Sequence, residues 1–225
     1  MKKILLLILI EIIMIGAMYG CLLILSGMGI HGGDISRIIP FASICVVTLF
    51  CVKIIDQSSF KELGFNWSVK ILIIMLLFLL IGMVPLFYDL LTGDIQHNTE
   101  AISFTILYYC IVGFSEELFF RGYIAQKMKD MSLLSYIIVS SAMFAALHFI
   151  SSEQINVFIY ILLFLFGVFF AILYKVVGSL IPLIGFHVAW DIATTYSDAY
   201  NNILLVFLIQ GIVLFVAILI NKLLI

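Results

Sequence analysis

The sequence predicts an all-α, polytopic membrane protein with about eight transmembrane helices. Three observations carry this. The 225 residues are 65% hydrophobic and only 11% charged, where soluble chains run at about 45–50% and about 25%. Mean hydropathy is +1.30. Apolar runs of roughly 20 residues recur, the length a helix needs to cross a hydrocarbon core of about 30 Å. They do not alternate apolar and polar residues as barrel strands do. A net charge of −2 gives no reason to expect nucleic acid as a partner. The partner expected throughout is the lipid bilayer.

Helices are expected at 4–26, 37–55, 69–91, 100–127, 132–150, 155–176, 181–200 and 202–222. With three prolines in the chain, they should run long and unbroken. The first run, after Met1-Lys2-Lys3, is too long for a signal-peptide core, and bulky Tyr19 argues against lipidation at Cys21. Turn chemistry separates the others: Gly32-Gly33-Asp34, Asp56-Gln57-Ser58-Ser59, Thr92-Gly93-Asp94 and Lys127-Met128-Lys129-Asp130. The chain divides into N-terminal helices (1–99), a motif-bearing core (100–200) and a last helix (201–225). The four cysteines, at 21, 45, 51 and 110, form no C-x-x-C pair and read as small buried apolar residues.

Nine of the eleven Lys and Arg fall on one side if both termini are cytoplasmic: Lys2, Lys3, Lys53, Lys61, Lys70, Lys127, Lys129, Lys175 and Lys222. A multi-pass cell-membrane protein with both termini inside is therefore expected. The stretch Phe60–Trp67 reads as amphipathic, with Phe60, Leu63, Phe65 and Trp67 at headgroup level. His31 and His97 read as solvated loop residues on the other side.

Ionisable side chains are costly in a bilayer and persist there mainly when paired or functional. Three clusters stand out: Glu116-Glu117-x-x-x-Arg121, Phe144-x-x-x-His148 and His187-x-x-x-Asp191. Successive helical residues turn by about 100°, so the two glutamates face differently. Glu117 and Arg121, four apart, can form a carboxylate–guanidinium clamp, which leaves Glu116 for other work. His187 and Asp191 share a helix face, where the acid can orient or charge-stabilise the imidazole. Glu116 with a histidine can activate water, and a second histidine can donate to an oxyanion. The same Glu116, His148 and His187 also form a set able to hold a catalytic zinc or other divalent metal. Either route hydrolyses a peptide-like bond. Ser115 has no histidine at local spacing, which disfavours a serine nucleophile.

E-E-x-x-x-R followed by Gly122, then F-x-x-x-H, then H-x-x-x-D, resembles the CPBP (Abi) family of intramembrane proteases. That family includes CAAX prenyl endopeptidases and bacteriocin-processing or immunity proteins. The resemblance covers about 100–200. It implies that Glu116 and His148 activate the attacking water, that Glu117, Arg121 and Phe144 support the site, and that His187 and Asp191 stabilise the oxyanion. It implies a membrane-associated peptide substrate, prenylated or of bacteriocin type, and leaves zinc or a metal-free glutamate mechanism open. Asp191 stands where prenyl endopeptidases often have asparagine, and an ionised aspartate cannot donate to an oxyanion.

Straight helices raise a difficulty of depth. Glu116 lies about 15 Å and His187 about 9 Å from the inner face, but His148 about 24 Å. Two other classes remain: a non-catalytic immunity or scaffold protein, with Gly16-x-x-x-Gly20 for helix packing, or a polar-core transporter that also uses Glu11.

Overall fold

The computed structural model describes residues 2–30, 33–93, 101–151, 157–198 and 202–223. Every regular element among them is helical. Six helices are long and apolar enough to span a membrane: Lys2–Gly27, Asp34–Ile55, Val69–Thr92, Ile102–Lys127, Val157–Val177 and Ile203–Lys222. Two shorter apolar helices, Leu133–His148 and Leu180–Thr195, complete the expected eight. The protein is an all-α integral membrane protein.

Three of the expected helices are not the uninterrupted rods the low proline content suggested. α2 (Gly33–Phe50) passes into a π turn at Cys51–Ile55, where the Asp56 N–H bonds back to the Cys51 carbonyl. The 69–91 span is split into α3 (Val69–Gly82) and α4 (Val84–Thr92). Pro85, near the start of α4, has no N–H to give the preceding turn, and its ring crowds the carbonyl four residues back. The 100–127 span is α5 (Ile102–Glu117), a π segment (Leu118–Tyr123) and α6 (Ile124–Lys127).

Chain contacts divide the protein into two compact units, Met1–Gly64 with Phe114–Ile172, and Phe65–Gly113 with Leu173–Ile225. In the first unit, α1 (Lys2–Gly27) buries Leu7, Ile10, Glu11 and Met14, a stripe at helical spacing. Glu11 is buried within this packed face. α1 packs on α2, where the Thr48 hydroxyl meets Met14 Sδ at 3.8 Å, and on α7 (Leu133–Ser151). By contrast, a Cβ at Gly16 or Gly20 would meet nothing within 4 Å, so this G-x-x-x-G packs no described helix of the chain. α8 (Val157–Val177) approaches α7 at Gly167, where an added Cβ would lie 2.8 Å from the Ser141 Cα. A polar cluster holds the 56–64 segment to α6: Lys127 pairs with Asp56, and Gln126 donates to Ser58 at 2.6 Å and to Glu62 at 3.2 Å. At the nearby turn Lys3 donates to Asp130 at 3.0 Å, which holds that exposed carboxyl below its usual range.

In the second unit α3 lies along α9 (Leu180–Thr195). The approach is close because small residues face it: a Cβ at Gly82 would fall 2.8 Å from that of Ala189, and one at Gly185 would fall 3.1 Å from Met75. Phe78 meets Phe186 edge-to-face at 6.4 Å. α9 is buried nearly all round, from Leu180 through Ala193. A helix apolar on every side belongs in an interior. It starts where Gly178, at φ +69°, closes α8, and Ser179 accepts the Ile181 N–H. α10 (Ile203–Leu223) completes this unit against α3.

Some surface expectations change. Leu63 is fully buried, while Phe60 and Trp67 are exposed as expected. Of the cysteines only Cys51 is buried; Cys110 is exposed on its helix, and Cys21 and Cys45 are intermediate. The readings of His31 and His97 lie outside the described residues.

Candidate active site

The first unit holds the first two motifs. Glu116 and Glu117 end α5, and the π segment opens immediately after them. Its wider turn is marked by the Ile124 N–H reaching back to the Phe119 carbonyl, a backbone form that recurs at functional positions. Glu116 is 1% exposed and Glu117 and Arg121 are 0% exposed. Arg121 Nη1 donates to Glu117 Oε1 at 3.1 Å, the clamp expected from the four-residue spacing.

Arg121 is held by more than its counter-ion. Its Nη2 donates to the Gly167 carbonyl at 3.4 Å. Its guanidinium carbon lies 4.6 Å from the Phe144 ring centroid, 4.8 Å from Phe170 and 5.7 Å from Phe120. Aromatic faces attract a cation, and more strongly where water is excluded. Phe144 is thus a wall of the arginine pocket, and its role as support has a physical basis. The Ser140 hydroxyl, donating to the Phe120 carbonyl at 3.0 Å, ties α7 to the π segment. Phe170, Gly167 and Ser140 are members that sequence reasoning missed. Each lies far along the chain from Arg121, and no local spacing points to them.

His148 meets Glu116. Its Nε2 stands 4.0 Å from Glu116 Oε1, and its Nδ1 is 2.9 Å from the Phe144 carbonyl. A carbonyl only accepts, so Nδ1 carries a proton, and Nε2 is the nitrogen that faces the Glu116 carboxyl. For Glu116 and His148 the depth difference is bridged for a geometric reason. Helical side chains lean toward their own N-terminus. Across the turn at Met128–Ser132, α5–α6 and α7 run in opposite senses, so Glu116 and His148 lean toward each other. The 4.6 Å contact between the Phe144 and His148 rings fixes the imidazole in that direction.

The third motif is in the second unit. His187 Nε2 lies 3.5 Å from Asp191 Oδ2, with the imidazole 5% and the carboxylate 20% exposed. A Cβ on Gly113 would come within 3.5 Å of His187 Cβ and 3.0 Å of Val188, so only glycine lets α5 approach α9 here without displacement. The end of α9 is held by hydroxyls. Thr194 and Thr195 donate to the Asp191 carbonyl at 3.2 and 2.8 Å. Thr195 Oγ1 also lies 2.8 Å from the Tyr109 hydroxyl. Beyond α9, buried Asp89 accepts from the Ser197 hydroxyl at 2.5 Å and the Asp198 N–H at 2.8 Å.

A catalytic zinc takes three protein ligands. Among the described residues no group of three or more His, Cys, Asp or Glu side chains is placed to hold a metal ion. No step below runs through a metal.

A helical membrane protein with a buried glutamate facing an imidazole, backed by a clamped Glu–Arg pair, has the makings of a membrane hydrolase. Residues 98–193 match the family model described as type II CAAX prenyl endopeptidase Rce1-like. This region contains all three motifs and is similar to the CAAX-protease (CPBP) family. No protein of curated function matches it.

Proposed function

We infer that the protein hydrolyses a peptide bond in a membrane-associated peptide, with water activated by Glu116 and His148. The single observation that carries this is the pairing of Glu116 Oε1 with His148 Nε2 across 4.0 Å. Two acceptors at that separation can both take a hydrogen bond, at about 2.8 Å, from one water. The carboxylate removes the water proton as the oxygen attacks the carbonyl carbon, and the imidazole orients the nucleophile. Glu117 is engaged by Arg121 at 3.1 Å. Assignment of His187 and Asp191 to the same reaction is supported by motif order and spacing.

The family match supports a peptide ending in a CAAX-type sequence as the first substrate to try. The test is mass spectrometry of a peptide library, prenylated and unprenylated, incubated with the purified protein in heavy-oxygen water. The reading expects discrete new C-termini carrying the heavy oxygen. A protein that leaves every peptide intact contradicts it.

A further inference from the structure

The π segment contains a carbonyl that loses its usual helical donor. In an α-helix the Phe120 carbonyl would accept the Ile124 N–H, four residues on. That N–H goes to the Phe119 carbonyl instead. Every residue from Leu118 to Tyr123 is buried, so bulk water does not take the missing donor's place. A buried acceptor left without a donor destabilises the conformation that strands it. Ser140, on α7 and itself fully buried, supplies the donor: its hydroxyl lies 3.0 Å from the Phe120 oxygen. The Phe120 ring is held by the same helix, edge-to-face against Phe144 at 5.4 Å. α7 thus grips Phe120 by both its backbone and its ring. Phe144 in turn accepts from His148 Nδ1 through its carbonyl at 2.9 Å.

The grip bears on where Glu116 points. A π turn adds one residue to a helix, and one residue is about 100° of rotation. Glu116 stands just before the added residue, in the last turn of α5. Were the segment to relax to α geometry, the end of α5 would swing by about that angle relative to Phe120. The Glu116 carboxyl would then leave His148 Nε2, which it now faces at 4.0 Å. We propose that Ser140 is a positioning residue for the hydrolysis: by serving the spare carbonyl of the π segment, it holds Glu116 aimed at His148. This role rests on the protease reading above and involves only its Glu116–His148 pair. All the residues concerned lie within the first compact unit.

Ser140→Ala removes the hydroxyl and leaves the Phe120 carbonyl unserved. Ser141→Ala is the control, because the Ser141 hydroxyl bonds within its own helix, to the Ile137 carbonyl at 2.6 Å. On a peptide that the wild-type protein cleaves, Ser140→Ala should lower kcat about 10–10²-fold and leave KM within about twofold, since a small misplacement of a catalytic group costs turnover. Ser141→Ala should match the wild type in both. Hydrogen exchange at 119–124 should quicken in Ser140→Ala and not in Ser141→Ala. Ser140→Cys keeps nearly the same volume with a weaker donor, so its kcat should fall between the two. It decides the matter if Ser140→Ala fails to fold, a Cys variant at the wild-type kcat then counting against the role. Unchanged kcat, a rise in KM alone, or unchanged exchange in Ser140→Ala overturns the role of Ser140 and leaves the protease reading standing. A wild-type protein with no Glu116-dependent cleavage overturns both.

Discussion

Arg121 and Glu117 form an ion pair of 3.1 Å in which neither side chain has any exposed surface. Two charges removed from water are tolerable only when each is fully compensated, and removing one partner of such a pair costs about 3–5 kcal/mol. Arg121→Ala should therefore lower stability in detergent by about that amount. Arg121→Lys keeps the charge but loses the planar group that lies against Phe144 and Phe170. It should melt between Arg121→Ala and the wild type. Thermal unfolding of the three proteins checks the order, and a Lys variant as stable as wild type contradicts the aromatic pocket.

Gly167 is where α8 meets α7. An added Cβ would fall 2.8 Å from the Ser141 Cα, which is backbone and cannot rotate away. Gly167→Ala should cost about 1–3 kcal/mol by overpacking. Gly211 in α10 has nothing within 4 Å of the same position. Gly211→Ala should leave stability unchanged or slightly raised, since alanine is the better helix former by about 1 kcal/mol. Unfolding of the pair under identical conditions tests both statements.

Asp89 is 3% exposed and accepts from Ser197 and Asp198 just past α9. Asp89→Ala leaves a buried hydroxyl and a backbone N–H without this acceptor, at about 1–3 kcal/mol. Because these bonds anchor the end of the helix bearing His187 and Asp191, hydrogen exchange should quicken around 193–198 in that variant. Unchanged protection there would show that Asp89 does not hold the helix end.

Much of this was legible in the sequence because bilayer physics is strict. Apolar run length fixed the helix count, and the rarity of buried charge singled out the three motifs. The Glu117–Arg121 clamp followed from a four-residue spacing alone. The meeting of Glu116 and His148 did not, because straight-rod depths ignore the lean of side chains toward helix N-termini. The break at Met83 went against the single helix expected at 69–91, although Pro85 lies beside it. The π segment at Leu118–Tyr123 has no residue signature of that kind. The pocket around Arg121 draws on Phe170 and Gly167, more than forty residues away in the chain, and distant packing of this sort is not written in local periodicity. The burial of Leu63 and the exposure of Cys110 likewise depend on which helix lies alongside.

The central claim is that Glu116 takes the proton from the attacking water. The most direct test is the single-turnover rate of Glu116→Gln on a peptide that the wild-type protein cleaves, with folding confirmed by an unchanged melting curve. Glutamine keeps the shape of the side chain and loses its basicity. The account predicts a fall of about 10²–10⁴-fold, the range for loss of a general base. Cleavage by Glu116→Gln at the wild-type rate would contradict it.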